Sequence, residues 1–239
     1  MAGFYDPAQV KLEHMMFGTV LMVGDDGKAS KIKTREGKSI KLAELLDEAK
    51  RRALEQFSKR LEQSENKVQV EESKLEETAE KMGISAIKYY DLKQNRIQNY
   101  TFDFDKILDP EGNTGVYCLF AYVRILSILS KSAMGEGDAL AKIKAGECFK
   151  ITNEVEEALA LSILRLPEQI ELAADNLKIN QLTDQLYEIC KNFSTFFNDK
   201  NNKVIDSEQE ASRVLLLEAT RKVLEVCFDL LGMKPIEKI

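Results

Sequence analysis

Apolar and polar positions follow two different rhythms along this chain, and the change comes near residue 110. Thr19 to Val23 is apolar and β-branched, Asp25-Asp26-Gly27 is a turn signal, and Lys31 to Leu42 tends to alternate on either side of Gly37. That pattern predicts short strands framing a basic loop. From Leu42 the period becomes helical, with Leu42, Leu45, Leu46, Ala49, Ala53, Phe57 and Leu61 on one stripe. Residues 62–81 then carry seven Glu against three Lys with little apolar content, which reads as a solvated face or a connecting excursion.

The segment TFDFDKILDPEGN (101–113) ends in Pro110, Gly112 and Asn113, and the domain boundary is expected there. Beyond it the pattern is almost wholly helical. Val116 to Leu129 is apolar, carries Arg124, and is shorter than the ~20 residues a bilayer needs, so it reads as a buried helix. Asn153 with Glu156 makes a capping pair before the Val155–Leu166 run, and Pro167 suits the first turn of the next helix. Ser207 with Glu210 reads as a capping box ahead of Val214–Leu231, and Gly232 and Pro235 stop that helix. Residues 110–239 are therefore expected to form an antiparallel helix bundle able to fold alone. Residues 1–60 should be the weaker part, because they lack the rest of a parallel sheet.

Composition narrows the chemistry. At 239 residues, 44% hydrophobic, the chain can bury a real core as one large or two ordinary domains. A net charge of −6 argues against indiscriminate coating of nucleic acid or membrane, so a polyanion would have to be met by a local patch. One such patch exists: six Lys or Arg lie between Lys28 and Lys41, with Glu36 the only acid among them. Cys118, Cys148, Cys190 and Cys227 are 30 or more residues apart with no CxxC pair, as free thiols in a reducing compartment would be. His14 is the only histidine, which removes multi-His metal sites and leaves little room for Ser-His-Asp chemistry; no metal site is expected.

Four blocks, in order and over nearly the whole chain, carry a family likeness: LEHMMFG (12–18), KTREGKSIKLAELLDEA (33–49), GISAIKYYDLKQNRIQNYTFDFDKILDPEGNTGVYCLFAYVRILSI (83–128) and LGMKPIEKI (231–239). Together they resemble the carboxy-terminal part of an arginyl-tRNA synthetase. The resemblance implies a mainly α fold. Residues 1–109 would be the last strands and helices of a Rossmann-type class I catalytic domain, with a KMSKS-like loop at about 28–38 and a helical connection over 42–109. Residues 110–239 would be an all-helical anticodon-binding domain of the DALR type.

The same resemblance implies site residues. Lys31 and Lys33 fall in the KMSKS-like loop as catalytic groups, and His14, Lys31, Lys33 and Arg35 as ATP-binding ones. Lys ammonium groups on a glycine-flanked loop can follow the charge that builds on the α-phosphate and departing pyrophosphate. Read without the family, the loop is equally a solvated basic hairpin, and His14 a core histidine. For tRNA the resemblance implies Asn95, Arg96, Tyr122, Arg124, Phe197 and Ile239; proteins that read splayed bases stack them on aromatic faces and hold the backbone with cations. The plain alternatives are a capping Asn, a surface Arg and two core aromatics.

The implied substrates are ATP with Mg2+, L-arginine and tRNA(Arg), with no tightly bound cofactor and no membrane partner, in a cytoplasmic monomer. A single histidine cannot supply the HIGH motif of class I enzymes, so the chain is expected to be one portion of arginine–tRNA ligase, a fragment or half of a split or truncated gene, inactive on its own. A freestanding tRNA-binding module and a structural helical interaction domain are the alternatives.

Overall fold

The computed structural model describes residues 5, 6, 8–23, 29–31, 41–63, 72–145 and 149–237. β1 (Val20–Val23) pairs antiparallel with β2 (Ala29–Lys31), then two long helices follow, α1 (Leu42–Gln63) and α2 (Glu72–Leu92). β3 (Tyr100–Phe102) returns to lie parallel to β1, with Val20 opposite Tyr100, giving the strand order β2-β1-β3. A parallel pair needs a crossover, and the α1–α2 hairpin with the turn after it is that crossover. The helices run antiparallel: Lys50 pairs with Glu80 (3.0 Å), and one residue earlier in α1 the Ala49 backbone lies against Gly83, later in α2.

The predicted stripe buries Ala49, Ala53 and Phe57, while Leu42 at its start is exposed. α2 begins inside the Glu-rich run. Leu75, Ala79 and Met82 turn inward and Glu76, Glu77 and Glu80 outward, so the described half of that run is the solvated face of a helix rather than a connection.

A short α3 (Phe104–Ile107) is capped by Asp103, whose carboxylate accepts from the Asp105 and Lys106 amides. The bundle then comprises α4 (Gly115–Leu129), α5 (Glu136–Lys144), α6 (Glu154–Leu164), α7 (Leu166–Asp175), α8 (Asn180–Asn198) and α9 (Glu210–Leu230). Thr114 caps α4 by accepting from the Tyr117 amide at 3.1 Å. Gly232, at φ +62°, ends α9: its amide reaches Asp229 O and the Met233 amide reaches Phe228 O at 2.8 Å, so two terminal carbonyls are satisfied.

Two capping expectations fare differently. Asn153 caps α6, accepting from the amides of Val155 (3.1 Å) and Glu156 (3.0 Å). Glu156, however, accepts from the Thr152 amide (2.6 Å) and pairs with Arg213 of α9 at 2.7 Å, both side chains being buried. A buried guanidinium requires a counter-charge, and that requirement outweighs the closing bond of a capping box. The Ser207–Glu210 box does not form. Gln209 is the N-cap, the Ser207 hydroxyl donates to Val204 O, and Glu210 accepts from the Asp206 amide (3.1 Å) and the Ser132 hydroxyl (2.7 Å).

The core does not stop at residue 110. It runs without a break from Ala53 and Phe57 through Met82 and Tyr89 to Phe193, Phe228 and Ile236. Tyr89 of α2 is fully buried, and its hydroxyl donates to Thr183 O at 3.1 Å. Lys88 donates to Gly232 O at 2.6 Å, and the Lys234 amide donates to the Ser85 hydroxyl at 3.0 Å, so α2 also fastens the tail beyond α9. The expectation that 110–239 is self-contained therefore meets a bundle with one face covered by α2.

Candidate nucleic-acid interface

Between α4 and α8 lies a cleft of about 300 Å³, lined by Tyr117, Phe120, Arg124, Ser194 and Asn198, with Pro110 and Glu111 at its edge. Tyr117 and Arg124 are two helical turns apart and so share a face of α4. The Tyr117 hydroxyl donates to Ser194 Oγ at 2.8 Å and its ring lies 5.5 Å from that of Tyr187. Burial raises the Tyr117 phenol above its ordinary range, so it stays a neutral donor.

Arg124 is exposed, and its guanidinium carbon stands 5.6 Å from the centre of the Phe197 ring. Phe197 is 45% exposed, its ring centre 6.1 Å from that of Phe193. An open aromatic face with a cation over it can stack a base and hold a phosphate. Tyr117 was not singled out in the sequence, being hidden within a continuous apolar run; its spacing of seven from Arg124 is the signal that would have found it.

The other expected residues are placed differently. Tyr122 is buried at 6% exposure, edge-on to Phe228 at 5.6 Å, and its hydroxyl donates to Glu225 at 2.6 Å. It is a core aromatic with a polar tip. Burial first, and the Glu225 bond second, push its phenol up to about 12. Asn95 closes its own turn, accepting from the Gln98 amide on its carbonyl at 2.8 Å. Arg96 donates to Met16 O at 3.1 Å and to Leu177 O.

His14 is exposed, in the segment before β1. Lys31 ends β2 opposite Leu21; of its side chain nothing is described. Lys33, Arg35, most of the expected KMSKS-like loop and Ile239 lie outside the described residues, as does Cys148. Cys118, Cys190 and Cys227 are buried free thiols. Among the described residues there is no cluster of three metal-ligating side chains, and no helix is long and apolar enough to cross a membrane.

Comparison with known proteins agrees with this layout. Residues 1–104 match the family described as tRNA synthetases class I (R), catalytic domain, and residues 118–239 match the DALR anticodon binding domain. A chloroplastic/mitochondrial arginine–tRNA ligase of Arabidopsis thaliana is 40% identical over 98% of this chain and 34% of its own length. The cytoplasmic arginine–tRNA ligase of Xenopus tropicalis is 36% identical over 100% of this chain and 36% of its own. The chain thus spans about a third of the length of these curated relatives. Among solved structures, the arginyl-tRNA synthetase of Plasmodium falciparum superposes with a TM-score of 0.72 at 35% identity, covering 84% of this chain and 34% of that one. That of Thermus thermophilus shares the fold with a TM-score of 0.73 at 24% identity, over 93% of this chain and 35% of that one. Strands leading into a capped helix bundle, and two family matches in the same order along one chain, lead to one conclusion: the chain belongs to the class I arginyl-tRNA synthetase family.

Proposed function

We propose that the chain supplies the anticodon recognition and the KMSKS-like loop of arginine–tRNA ligase, in the cytoplasm and as a monomer, with the division between its two parts at residues 109 and 110. The carrying observation is the exposed Arg124–Phe197 pair beside the α4–α8 cleft, inside the DALR match. A base of tRNA(Arg) stacks on Phe197, Arg124 neutralises an adjoining phosphate, and Tyr117, Ser194 and Asn198 offer hydrogen bonds to base edges. Ile239, which the family resemblance implies for tRNA, would add apolar contact. Tyr122, Asn95 and Arg96 are engaged within the protein, which favours structural work for them.

In the catalytic part, Lys31, Lys33 and Arg35 would hold the phosphates of ATP, with its Mg2+, and His14 would lie near the nucleotide. The lysine charges act on the transition state, in which negative charge gathers on the α-phosphate and the departing pyrophosphate, more than on the bound ground state. The HIGH-bearing portion and the arginine pocket come from the remainder of the enzyme.

The test is reconstitution. The chain alone should give no arginine-dependent ATP–pyrophosphate exchange, whereas fusion to the amino-terminal two thirds of a relative such as the Arabidopsis enzyme should attach arginine to tRNA. In that fusion Lys33→Ala should lower kcat more than it raises the KM for arginine. A folded but inactive fusion that still binds tRNA would mean a binding module without a catalytic role.

A further inference from the structure

Three stretches distant in sequence meet at Arg96. The turn over 95–99 is closed by Asn95, whose carbonyl accepts from the Gln98 amide at 2.8 Å. The extended segment before β1 is laid against this turn. Gly18 donates its amide to Arg96 O at 2.7 Å, and the Thr19 amide donates to Asn99 Oδ1 at 2.7 Å. A side chain at position 18 has no room: a Cβ there would sit 2.1 Å from Gln98 O. The Arg96 guanidinium then works in both directions. Its Nε donates to Met16 O at 3.1 Å, another nitrogen contacts Met15 Sδ at 3.8 Å, and Nη1 donates to Leu177 O.

Leu177 is an unusual acceptor. It follows α7 at φ +51°, a left-handed conformation that a leucine seldom adopts, in the position where helices more often end on glycine. Its amide reaches Ala174 O and the Lys178 amide reaches Ala173 O at 3.0 Å, so the turn is locked and its own carbonyl is left for the guanidinium. Met15, Met16 and Arg96 lie within residues 1–104, and Leu177 within 118–239. The bond therefore crosses from one family region to the other.

We propose that Arg96 is a positioning residue, the pin of a clasp that fixes the segment 15–19, and with it the path into β1, against the α7–α8 turn of the anticodon-binding bundle. A guanidinium carries its donors on separate nitrogens of a rigid planar fork, so Nε and Nη1 reach carbonyls of two different segments; the three donors of an ammonium share one nitrogen and do not span that spacing. The clasp holds the nucleotide-side strand at a fixed offset from the RNA-binding helices; its value in catalysis rests on the function proposed above, its existence does not.

The test is amide exchange on the full chain, read in peptides covering 10–20 and 174–180, beside those from α4, α8 and α9. Arg96→Ala and Arg96→Lys should both speed exchange at Gly18 and Thr19 by about tenfold or more, since alanine loses both charge-assisted bonds and lysine at least one of the two. Protection in α4, α8 and α9 should hold, which separates a clasp from general destabilisation. Gly18→Ala should open the same peptide from the other side. Recovery of wild-type exchange by Arg96→Lys, or no change in either Arg96 variant, would overturn the proposal. So would a salt dependence of RNA affinity that falls by about one phosphate contact with exchange at 15–19 unaltered, because Arg96 would then be a phosphate ligand. Failure of the wild-type chain to bind RNA would remove the proposed function, while the exchange result would still decide the clasp.

Discussion

Tyr122 and Phe197 are both aromatic, both expected at the tRNA surface, and separated by what surrounds them. Tyr122 is enclosed by Phe228 and Glu225, and Phe197 is open beneath Arg124. Tyr122→Ala should therefore cost about 3 kcal/mol or more in unfolding experiments, as large-to-small changes in cores do. The phenol also carries a pH signature. It is pushed up to about 12 by burial and then by Glu225, against about 10 in an unfolded chain. The folded protein thus keeps a proton that the unfolded chain has begun to release. The stability this contributes is fully present below about pH 10 and is lost as pH rises towards about 12. Burial pushes the Cys227 thiol up to about 12 as well, so the alkaline decline has more than one source. Denaturant titrations at successive alkaline pH values should show a shallower decline for Tyr122→Phe than for wild type; identical slopes would mean that the phenol is not held neutral.

At the scale of the element, helix ends separate two superficially equal signals. Asn153 satisfies two amides of α6, so Asn153→Ala should destabilise by about 1 kcal/mol. Ser207 caps nothing in α9, its hydroxyl going to Val204 O, and Ser207→Ala should stay within about 0.5 kcal/mol. Equal losses in chemical denaturation would restore the capping box that the structure lacks. The stripe of α1, the apolar run of α4, Pro167 at the start of α7 and the Gly232 stop were legible because each is a local signal. The onset of α2 was not: Leu75, Ala79 and Met82 form a stripe too thin to stand out among the glutamates around them. The Glu156–Arg213 pair joins residues 57 apart, and no periodicity carries a contact of that range. The candidate site divides the same way. Phe197 and Arg124 were named through family likeness, whereas Tyr117 beside them is one more apolar letter in a buried run.

For the molecule as a whole, the continuous core carries a consequence for dissection. Met82 and Tyr89 of α2 are buried in that core, and each large side chain so buried contributes about 1.5–3 kcal/mol. Their removal is serious against a total stability of about 5–15 kcal/mol. A piece covering 42–239 should melt cooperatively near the full chain, and a piece covering 110–239 well below it; equal melting temperatures would make the bundle independent of α1 and α2. The central claim is that this bundle reads tRNA, and titration of the full chain with anticodon stem-loops at fixed salt tests it most directly. The stem-loop of an arginine-accepting tRNA should bind more tightly than an unrelated one, and Phe197→Ala should weaken that binding by roughly five- to a hundredfold, about 1–3 kcal/mol of stacking, while melting as wild type does. Equal affinity for both stem-loops, with Phe197→Ala folded and binding unchanged, would contradict the account.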